Sequence, residues 1–307
     1  MIKNKRIIIT GGNGFLGSNI VNLLNENNEV CIPRSRKYDL VEKEAVKELF
    51  NDFRNVDIVI HAAADIGGIG YSSTHSSKQF YNNIFINTNM LHESYINNIS
   101  KFVGIGSVCE YPKETKIPFK EEDLWNGYPV ETNDAYGLTK RMLLAQSIAY
   151  KRDYNFNSIH LLPVNMYGPK DNFSSESSHV IPALIKKIIE AKENNANEVE
   201  VWGSGSESRE FIYVEDVAKA VLLATEFYDE ISPINIGSGK EIKICELVEK
   251  LSELIGYEGK IKYLNNKLGG QQRRMLDVSK AYEKFNFKAE MDFQQGLINT
   301  IEYYLNK

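Results

Sequence analysis

Short apolar runs alternate with amphipathic segments along the first half of the chain. A β-branched run at 6–10 comes first, and the other strand-like runs stand at 29–33, 57–61 and 101–106. Between them, the spacing of apolar residues predicts helices at 18–25, 42–53, 83–97 and 135–150. Strands that alternate with helices predict βαβ units and a parallel sheet. A parallel sheet is buried on both faces, so its strands should be continuously apolar, as these runs are.

The pattern changes after about Tyr167. Gly168-Pro169 interrupts it, and a Ser- and Asn-rich loop follows. Helices are then predicted at 181–193 and 216–227 and strands at 198–202 and 211–214, before a mixed region at 234–305. We therefore predict the α/β class, with a Rossmann-type doubly wound parallel sheet and a smaller α/β substrate-binding domain. The expected division is 1–165 for a nucleotide-binding domain, with a returning segment near 210–235, and 166–307 for an interleaved substrate domain.

Composition and charge exclude several classes of function. Of the 307 residues, 42% are hydrophobic and 25% are charged, and the formal net charge of −5 comes with no basic stripe for nucleic acid. Cys31, Cys109 and Cys245 stand far apart and form no CxxC pair or ligand-spaced Cys/His cluster, which argues against a disulfide framework or a zinc site. No signal peptide and no apolar run of membrane-spanning length is present. We expect a cytoplasmic protein that needs no metal and binds neither nucleic acid nor a membrane.

A glycine-rich turn lies between the first predicted strand and the first predicted helix. Gly12-Asn13-Gly14-Phe15-Leu16-Gly17 fits G-x-G-x-x-G, and Gly11 directly precedes it. Glycines allow the backbone to approach a pyrophosphate, which the N-terminus of the following helix attracts. This context favours dinucleotide binding over a plain tight turn. The expected cofactor contacts are Gly11, Gly14, Phe15, Leu16 and Gly17.

The second predicted strand ends in basic residues. An NAD site usually places an acidic residue near this point to hold the ribose 2′-hydroxyl, whereas Arg34 and Arg36 suit the 2′-phosphate of NADP(H). Two solvated surface arginines are the alternative interpretation. Further cofactor contacts are expected from Asp39 and Leu40 beside the adenine, and from Ala62, Ala63 and Ala64 in the cleft, although the alanine run is also typical of close core packing.

Three residues form a candidate catalytic set. Tyr136 and Lys140 lie on one face of a predicted helix, where a nearby ammonium would lower the pKa of the phenol and allow proton exchange. Ser107 follows the strand at 101–106, and ligands of open parallel sheets bind at the carboxyl ends of strands. Ser107 is therefore expected to donate a hydrogen bond to a substrate carbonyl, with a helix-capping serine as the alternative.

The chain resembles the GDP-L-fucose synthase family, extended short-chain dehydrogenases that epimerise and then reduce GDP-4-keto-6-deoxymannose. The matching segments are HAAA at 61–64 with GGI at 67–69, GSVCEYP at 106–112, YGLTK at 136–140, NMYGP at 165–169, DNF at 171–173, SHVIPAL at 178–184, VWGSG at 201–205 and REF at 209–211. The resemblance implies an NADP(H)-dependent oxidoreductase, a GDP-linked 4-keto-6-deoxy sugar as its substrate, and a homodimer formed through the helices predicted at 83–97 and 135–150.

The resemblance also implies roles for single residues. Cys109 and His179 would exchange protons during epimerisation, since a 4-keto group acidifies the hydrogens at C3 and C5. Cys109 would face the same way as Ser107 if the chain stays extended between them. The implied cofactor contacts add Tyr136, Lys140, Pro163, Asn165 and His179. The implied substrate contacts are Ser107, Val108, Cys109, Asn165, Val180, Leu184, Val201, Trp202, Arg209 and Arg273.

Three residues depart from the family pattern. Asp65, Val108 and Glu110 are all expected near the sugar or nicotinamide pocket, so they bear on the identity of the sugar more than on the reaction type. Two alternatives stay open. One is a reductase without epimerase activity that acts on a GDP-6-deoxy-4-keto-heptose in capsular polysaccharide biosynthesis. The other is an inactive NADP-binding sensor or scaffold.

Overall fold

The computed structural model describes residues 2–24, 27–174, 177–264 and 271–307. The strands are β1 Arg6–Thr10, β2 Glu29–Cys31, β3 Ile58–His61, β4 Lys101–Ile105, β5 Ser158–Pro163, β6 Asn165–Tyr167, β7 Glu198–Trp202, β8 Ser208–Tyr213, β9 Ile234–Ile236, β10 Glu241–Lys243 and β11 Lys260–Leu264. The helices are α1 Phe15–Leu23, α2 Lys43–Asp52, α3 Ile69–Thr74, α4 Ser76–Ile96, α5 Asp134–Tyr154, α6 Val180–Glu193, α7 Val214–Phe227, α8 Ile244–Ile255, α9 Ser279–Phe285 and α10 Phe293–Leu305. Short 3₁₀ helices span Val108–Glu110 and Glu121–Trp125.

A six-stranded sheet in the order β2-β1-β3-β4-β5-β9 forms the centre of the fold, and all its pairings are parallel. The predicted α/β class with a parallel central sheet is confirmed. The order of strands reverses between β1 and β3, because β2 lies on one side of β1 and the later strands lie on the other. Such a switch point opens a crevice at the carboxyl ends of the strands, where open α/β sheets bind their ligands.

Both faces of this sheet are covered. Ile7 and Ile9 of β1 belong to a core that includes residues of α1 and α7, whereas Ile8 belongs to a second core with residues of α2, α4 and α5. Side chains alternate between the faces of a strand. The run at 6–10 is therefore apolar throughout because each of its central residues enters one core or the other.

A second layer carries its own core. β8 pairs with β6 in parallel and with β10 in antiparallel orientation, and β7 pairs with β11. Residues of α6, α8 and α10 pack with these strands around fully buried leucines such as Leu247 and Leu251. Between these elements β9 rejoins the main sheet beside β5. The chain therefore passes from the first layer to the second and back.

Several elements differ in extent from the sequence pattern. Helix α1 begins at Phe15 rather than Ser18, and α4 begins at Ser76 rather than 83. The polar residues Gln79 and Asn83 are buried within α4, which hides the helical periodicity of its first turns. In the described part of the chain, no helix has the length and apolarity needed to cross a membrane.

Candidate active site

The glycine turn after β1 has two positions, Gly11 and Gly17, where a side chain would collide with backbone. Gly11 has φ +69°, and a Cβ there would lie 2.9 Å from the nitrogen of Ala63, which follows β3. A Cβ on Gly17 would lie 2.1 Å from the oxygen of Gly11. The N–H of Gly14 donates to Gly11 O at 2.8 Å and directly precedes α1. The turn thus aims the N-terminus of α1 at the crevice, which fits a pyrophosphate.

A buried polar chain fixes the two strand ends that flank this turn. Thr10 Oγ1 lies 2.8 Å from His61 Nδ1, and His61 Nε2 lies 3.2 Å from Asn87 Oδ1. The N–H of Ala63 donates to Thr10 Oγ1, and Asn87 Nδ2 donates to Thr139 O on α5. Burial, with a contribution from the charge of Lys140, lowers the pKa of His61 to about 3. His61 is therefore neutral and structural, and it orients the alanine run Ala62, Ala63 and Ala64.

The loop after β2 presents the two predicted arginines to solvent. Arg34 and Arg36 are exposed, and the carbonyl of Arg34 accepts the N–H groups of Lys37 and Tyr38 at 2.9 Å. Asp39 is exposed and its carboxylate accepts the N–H of Val41. These guanidiniums stand on a hydrogen-bonded turn beside the glycine loop. The N–H groups of Arg34 and Arg36 fit a dinucleotide that carries a 2′-phosphate.

Ser107 ends β4 and caps the 3₁₀ helix Val108–Glu110. Its Oγ accepts the N–H of Cys109 at 3.1 Å, and its own N–H donates to Glu110 Oε1 at 2.8 Å. The expectation of an extended chain from Ser107 to Cys109 is therefore wrong, because the helical turn starts at Val108. Ser107 is a capping residue, yet it stays partly open at the carboxyl end of β4. Capping does not exclude the catalytic role, since a hydroxyl that accepts one bond can still donate another.

Tyr136 and Lys140 are both buried on the first turns of α5. Lys140 Nζ lies 5.7 Å from the ring centroid of Tyr136 and donates to Ile105 O at 2.7 Å. Burial raises the pKa of Tyr136 above its ordinary value, and the neighbouring Cys109 and Glu110 raise it further. Burial lowers the pKa of Lys140 to about 8. The expected lowering of the phenol's pKa is therefore wrong in this structure, and Tyr136 holds its proton at neutral pH.

Close backbone contact brings these residues into one site. A Cβ on Gly137 would lie 2.3 Å from Cys109 O, so the first turn of α5 packs directly on the 3₁₀ turn. Only a glycine allows this approach. Ser107, Cys109, Tyr136 and Lys140 consequently converge at the carboxyl end of β4.

Polar and cationic groups surround the Cys109 thiol. Its Sγ accepts a hydrogen bond from Asn133 Nδ2 at 2.9 Å, and Arg274 Nη1 lies 3.8 Å away. Burial and the nearby charge of Arg274 lower the pKa of Arg209 to about 10, with a partial offset from Glu207 and Cys109. Two guanidiniums held close together provide a binding site for an anion.

Asn133 and Arg274 were not indicated by the sequence pattern. Arg273, the predicted substrate contact, is exposed and pairs with Glu241 instead. Segment 272–276 runs beside β8, where Gln272 O accepts from Ser208 and Arg274 O accepts from Glu210. Neighbouring side chains of an extended segment point to opposite sides. Arg274 therefore faces Cys109, and Arg273 faces away.

His179 precedes the first residue of α6 and is open to solvent. The protein packed around it nevertheless lowers the pKa of its imidazole, so the ring is neutral at neutral pH. Just before it, Ser177 O accepts the N–H of Gly68 at 2.9 Å, which places this loop over the segment after β3. Within the described residues no hydrogen bond joins Cys109 and His179, and their cooperation stays a prediction.

The other predicted contacts differ in accessibility. Trp202 is 52% exposed, with Lys187 Nζ 5.5 Å from its ring, and Val180 and Asn165 are partly buried. Some predicted side chains are instead buried in the cores, and their contact with a ligand stays a prediction: Leu16, Val108, Pro163, Leu184 and Val201.

The three departures from the family pattern occupy different environments. Glu110 is 0% exposed and lies directly behind Ser107, and Val108 is buried in the core, so any effect of these two side chains on the identity of the sugar stays a prediction. Asp65 remains near the crevice, where its carboxylate accepts from Tyr71 and Asn82 at 2.8 and 2.7 Å. No group of three or more His, Cys, Asp or Glu side chains in the described chain could hold a metal ion.

Comparison with known proteins places this geometry in a class. Residues 7–237 match the sequence model of the NAD dependent epimerase/dehydratase family. The chain belongs to that family. Its relatives there include GDP-L-fucose synthase 1 of Arabidopsis thaliana, which is 35% identical over 305 residues, with 99% of this chain and 94% of the relative covered.

Two solved structures share the whole fold. A GDP-6-OMe-4-keto-L-xylo-heptose reductase from Campylobacter jejuni matches with a TM-score of 0.92 and 27% identity, covering 100% of this chain and 99% of the other. A GDP-L-fucose synthetase from Naegleria fowleri bound to NADP matches with a TM-score of 0.89 and 26% identity, covering 100% and 95%. The resemblance to the GDP-L-fucose synthase family is confirmed.

Proposed function

We propose that this protein is an NADPH-dependent oxidoreductase that reduces the C4 carbonyl of a GDP-linked 4-keto-6-deoxy sugar. The convergence of Ser107, Tyr136 and Lys140 at the carboxyl end of β4 carries the proposal. These three residues disfavour an inactive sensor, which would gain nothing from them. Relatives named for fucose synthesis and for heptose reduction support the same reaction class.

The cofactor is NADP(H). The turn at Gly11, Gly14 and Gly17 accommodates the pyrophosphate, and Arg34 and Arg36 provide charge for the 2′-phosphate. Ala62, Ala63 and Ala64 leave room in the cleft beside them. When bound, NADPH supplies the hydride that reduces C4.

The chain's own groups manage the proton and the charge. Ser107 Oγ donates a hydrogen bond to the C4 oxygen and holds the carbonyl in place. Tyr136 then donates its proton to the same oxygen, which it can do because its raised pKa keeps the phenol protonated. The ammonium of Lys140 stabilises the phenolate that remains, at 5.7 Å from the ring centroid.

The nucleotide binds on the second layer. Arg209 and Arg274 hold the diphosphate through charge-assisted hydrogen bonds, which relieves the repulsion between the two guanidiniums. The exposed face of Trp202 stacks on the guanine base. Asn165, whose Nδ2 donates to Glu210 O, lines the path between the two regions.

The test is NADPH oxidation with GDP-4-keto-6-deoxymannose, followed by NMR of the product. Tyr136→Phe should lower kcat by roughly 10²-fold or more and leave the Kd for NADPH largely unchanged. Tyr150→Phe is the matched control, since Tyr150 lies on the same helix but its hydroxyl meets His92 Nδ1. Near-wild-type turnover in Tyr136→Phe would show that the proton donor is another group.

Epimerisation at C3 and C5 is part of the proposal for a hexose substrate. The Cys109 Sγ, which accepts a hydrogen bond from Asn133, and the neutral imidazole of His179 are the groups proposed to exchange protons with C3 and C5. Incubation in D₂O without NADPH should place deuterium at C3 and C5, and Cys109→Ser should abolish the exchange. Cys245→Ser, a half-buried cysteine on α8, is the control.

A reductase-only enzyme acting on a GDP-6-deoxy-4-keto-heptose is the second candidate. The structural match to a heptose reductase from Campylobacter jejuni favours it. This candidate would be supported if the enzyme reduced a pre-epimerised substrate but placed no deuterium at C3 and C5 in D₂O. A heptose of this kind would serve capsular polysaccharide synthesis in the cytoplasm.

We also propose a homodimer through α4 and α5. These helices pack against each other on one face of the sheet and expose apolar side chains outward, namely Tyr81 and Phe85 on α4 and Met142 and Ile148 on α5. Two copies related by a two-fold axis would bury these residues in a four-helix contact.

A further inference from the structure

A buried acid–base pair lies directly behind the catalytic serine. Glu110 and His160 are both 0% exposed, and His160 Nε2 lies 3.0 and 3.1 Å from the two carboxylate oxygens of Glu110. His160 is on β5 and its Nδ1, which faces Gly104 of β4, has no hydrogen-bond partner. Because Nε2 contacts two acceptors and Nδ1 contacts none, the ring proton belongs on Nε2.

This pair fixes Ser107. Glu110 Oε1 accepts the N–H of Ser107 at 2.8 Å while it also contacts His160. Gly106 makes the approach possible, since a Cβ there would lie 2.4 Å from both Glu110 Oε1 and His160 Nε2. The Glu110 carbonyl also accepts from Arg141 Nε at 2.6 Å. The carboxylate is therefore held by His160 and the Ser107 N–H, while the Arg141 bond fixes the backbone of Glu110.

The same carboxylate acts on Lys140. Glu110 raises the pKa of Lys140 against the larger opposing effect of burial, which brings that pKa to about 8. The other titratable groups around Lys140 are His61, which is neutral, Tyr136, whose phenol keeps its proton, and Cys109. Glu110 is thus the nearby group that favours the ammonium form.

Burial of a carboxylate reduces the free energy of unfolding, because the charge loses its hydration. Apolar residues of similar volume would be as stable or more stable at such a position. The pair is nevertheless placed where one oxygen contacts the serine backbone and its charge reaches the lysine. A role in the reaction accounts for this position, whereas packing alone does not.

We propose that Glu110 and His160 are positioning residues for the C4 reduction: His160 orients the Glu110 carboxylate, which fixes Ser107 and places its charge beside Lys140. This inference rests on the proposed function for its catalytic consequence. Its physical basis, the effect of Glu110 on Lys140 and on Ser107, can be measured without substrate.

The first experiment titrates Lys140 by NMR in protein labelled with ¹³C at lysine Cε, with the resonance assigned from Lys140→Arg. Glu110→Gln keeps an oxygen that accepts the Ser107 N–H but removes the charge. Its Lys140 midpoint should fall by about 0.5–1.5 pH units relative to wild type. Glu121→Gln is the matched control, because Glu121 Oε1 also accepts a backbone N–H, from Asn235, on a different 3₁₀ helix. An unmoved Lys140 midpoint in Glu110→Gln would overturn the inference.

The second experiment measures hydrogen exchange at the Ser107 amide. His160→Leu removes the donor that orients the carboxylate and should speed this exchange by about 10-fold or more. His160→Gln retains an N–H donor and should restore the protection. Equal protection of the Ser107 amide in the two variants would contradict the orienting role of His160. Thermal unfolding of each variant distinguishes this local effect from loss of the fold.

The kinetic readout connects the pair to turnover. In Glu110→Gln the alkaline limb of kcat should move down in pH by the same amount as the NMR midpoint, with KM for the sugar nucleotide within about 2-fold of wild type. An alkaline limb that stays in place while the NMR midpoint moves would refute the catalytic part of the inference. If wild-type protein turned over no GDP-4-keto sugar, the proposed function would fail, while the NMR and exchange results would still decide the effect of the pair on Lys140 and Ser107.

Discussion

Asp171 is a buried carboxyl group that should make the protein less stable as the pH rises. It is 4% exposed, its Oδ2 has no partner, and its Oδ1 accepts the N–H of Asn172. Burial raises its pKa from an ordinary 3.8 to about 7. The folded state therefore binds more protons than the unfolded state between these values, and the free energy of unfolding falls with rising pH across that window.

The magnitude follows from the size of the shift. About 3 pKa units correspond to roughly 4 kcal/mol over the whole window, and roughly 2–3 kcal/mol of this falls between about pH 5 and about pH 8. Asp171→Asn keeps the acceptor for Asn172 and cannot ionise. Its advantage in free energy of unfolding over wild type should therefore grow by roughly 2–3 kcal/mol between about pH 5 and about pH 8.

Urea denaturation of wild type and Asp171→Asn at both pH values measures this difference. Asp153→Asn, at an exposed position on α5, serves as the control and should change the free energy of unfolding equally at both pH values. A difference between Asp171→Asn and wild type that is the same near pH 5 and near pH 8 would refute the reasoning, since it would mean that Asp171 ionises normally in the folded protein.

Three further predictions address binding and assembly. Replacing Arg34 and Arg36 with Ala should weaken the preference for NADPH over NADH by about 1–3 kcal/mol, measured by Kd; a wild-type protein that binds both equally would contradict this. Arg274→Gln should raise KM for the GDP-sugar by about 10-fold or more while Arg273→Gln changes it little, and the reverse order would show that Arg273 is the diphosphate ligand. Phe85→Glu should convert a dimer to a monomer in light scattering, and a wild-type monomer would rule out the α4–α5 contact.

The strands were predictable because each leaves a strong local pattern: a continuous apolar run where both faces are buried, or an alternation of polar and apolar residues where one face is buried. The run at 6–10 coincides with β1, and that at 198–202 with β7, whose residues alternate between exposed and buried. The start of helix α4 was harder to predict from the periodicity of apolar residues. Gln79 and Asn83 are buried for tertiary reasons, with Asn83 Nδ2 donating to Asp65 O, so the first turns of α4 look polar in sequence.

The site was predictable in its residue types but less so in its geometry. Ser107, Tyr136 and Lys140 converge as expected, because strand ends and helix faces follow from local spacing. The burial and the charged neighbours of each group could not be predicted from the local sequence. Whether Lys140 lowers the pKa of Tyr136 depends on how far burial opposes it, and burial is a property of the whole fold.

The placement of Arg274 shows why the remaining contacts needed the structure. Its segment is held on one side by β8, where Glu210 Oε2 accepts the N–H of Leu276, and on the other by Phe119, whose N–H donates to Met275 O. Asn235 joins the same assembly by donating to Phe119 O and to Asp277 O. A shift of one residue in this register would exchange the sides of Arg273 and Arg274. Which arginine reaches Cys109, 165 positions away in the chain, is therefore decided by these buried long-range hydrogen bonds and not by any local pattern.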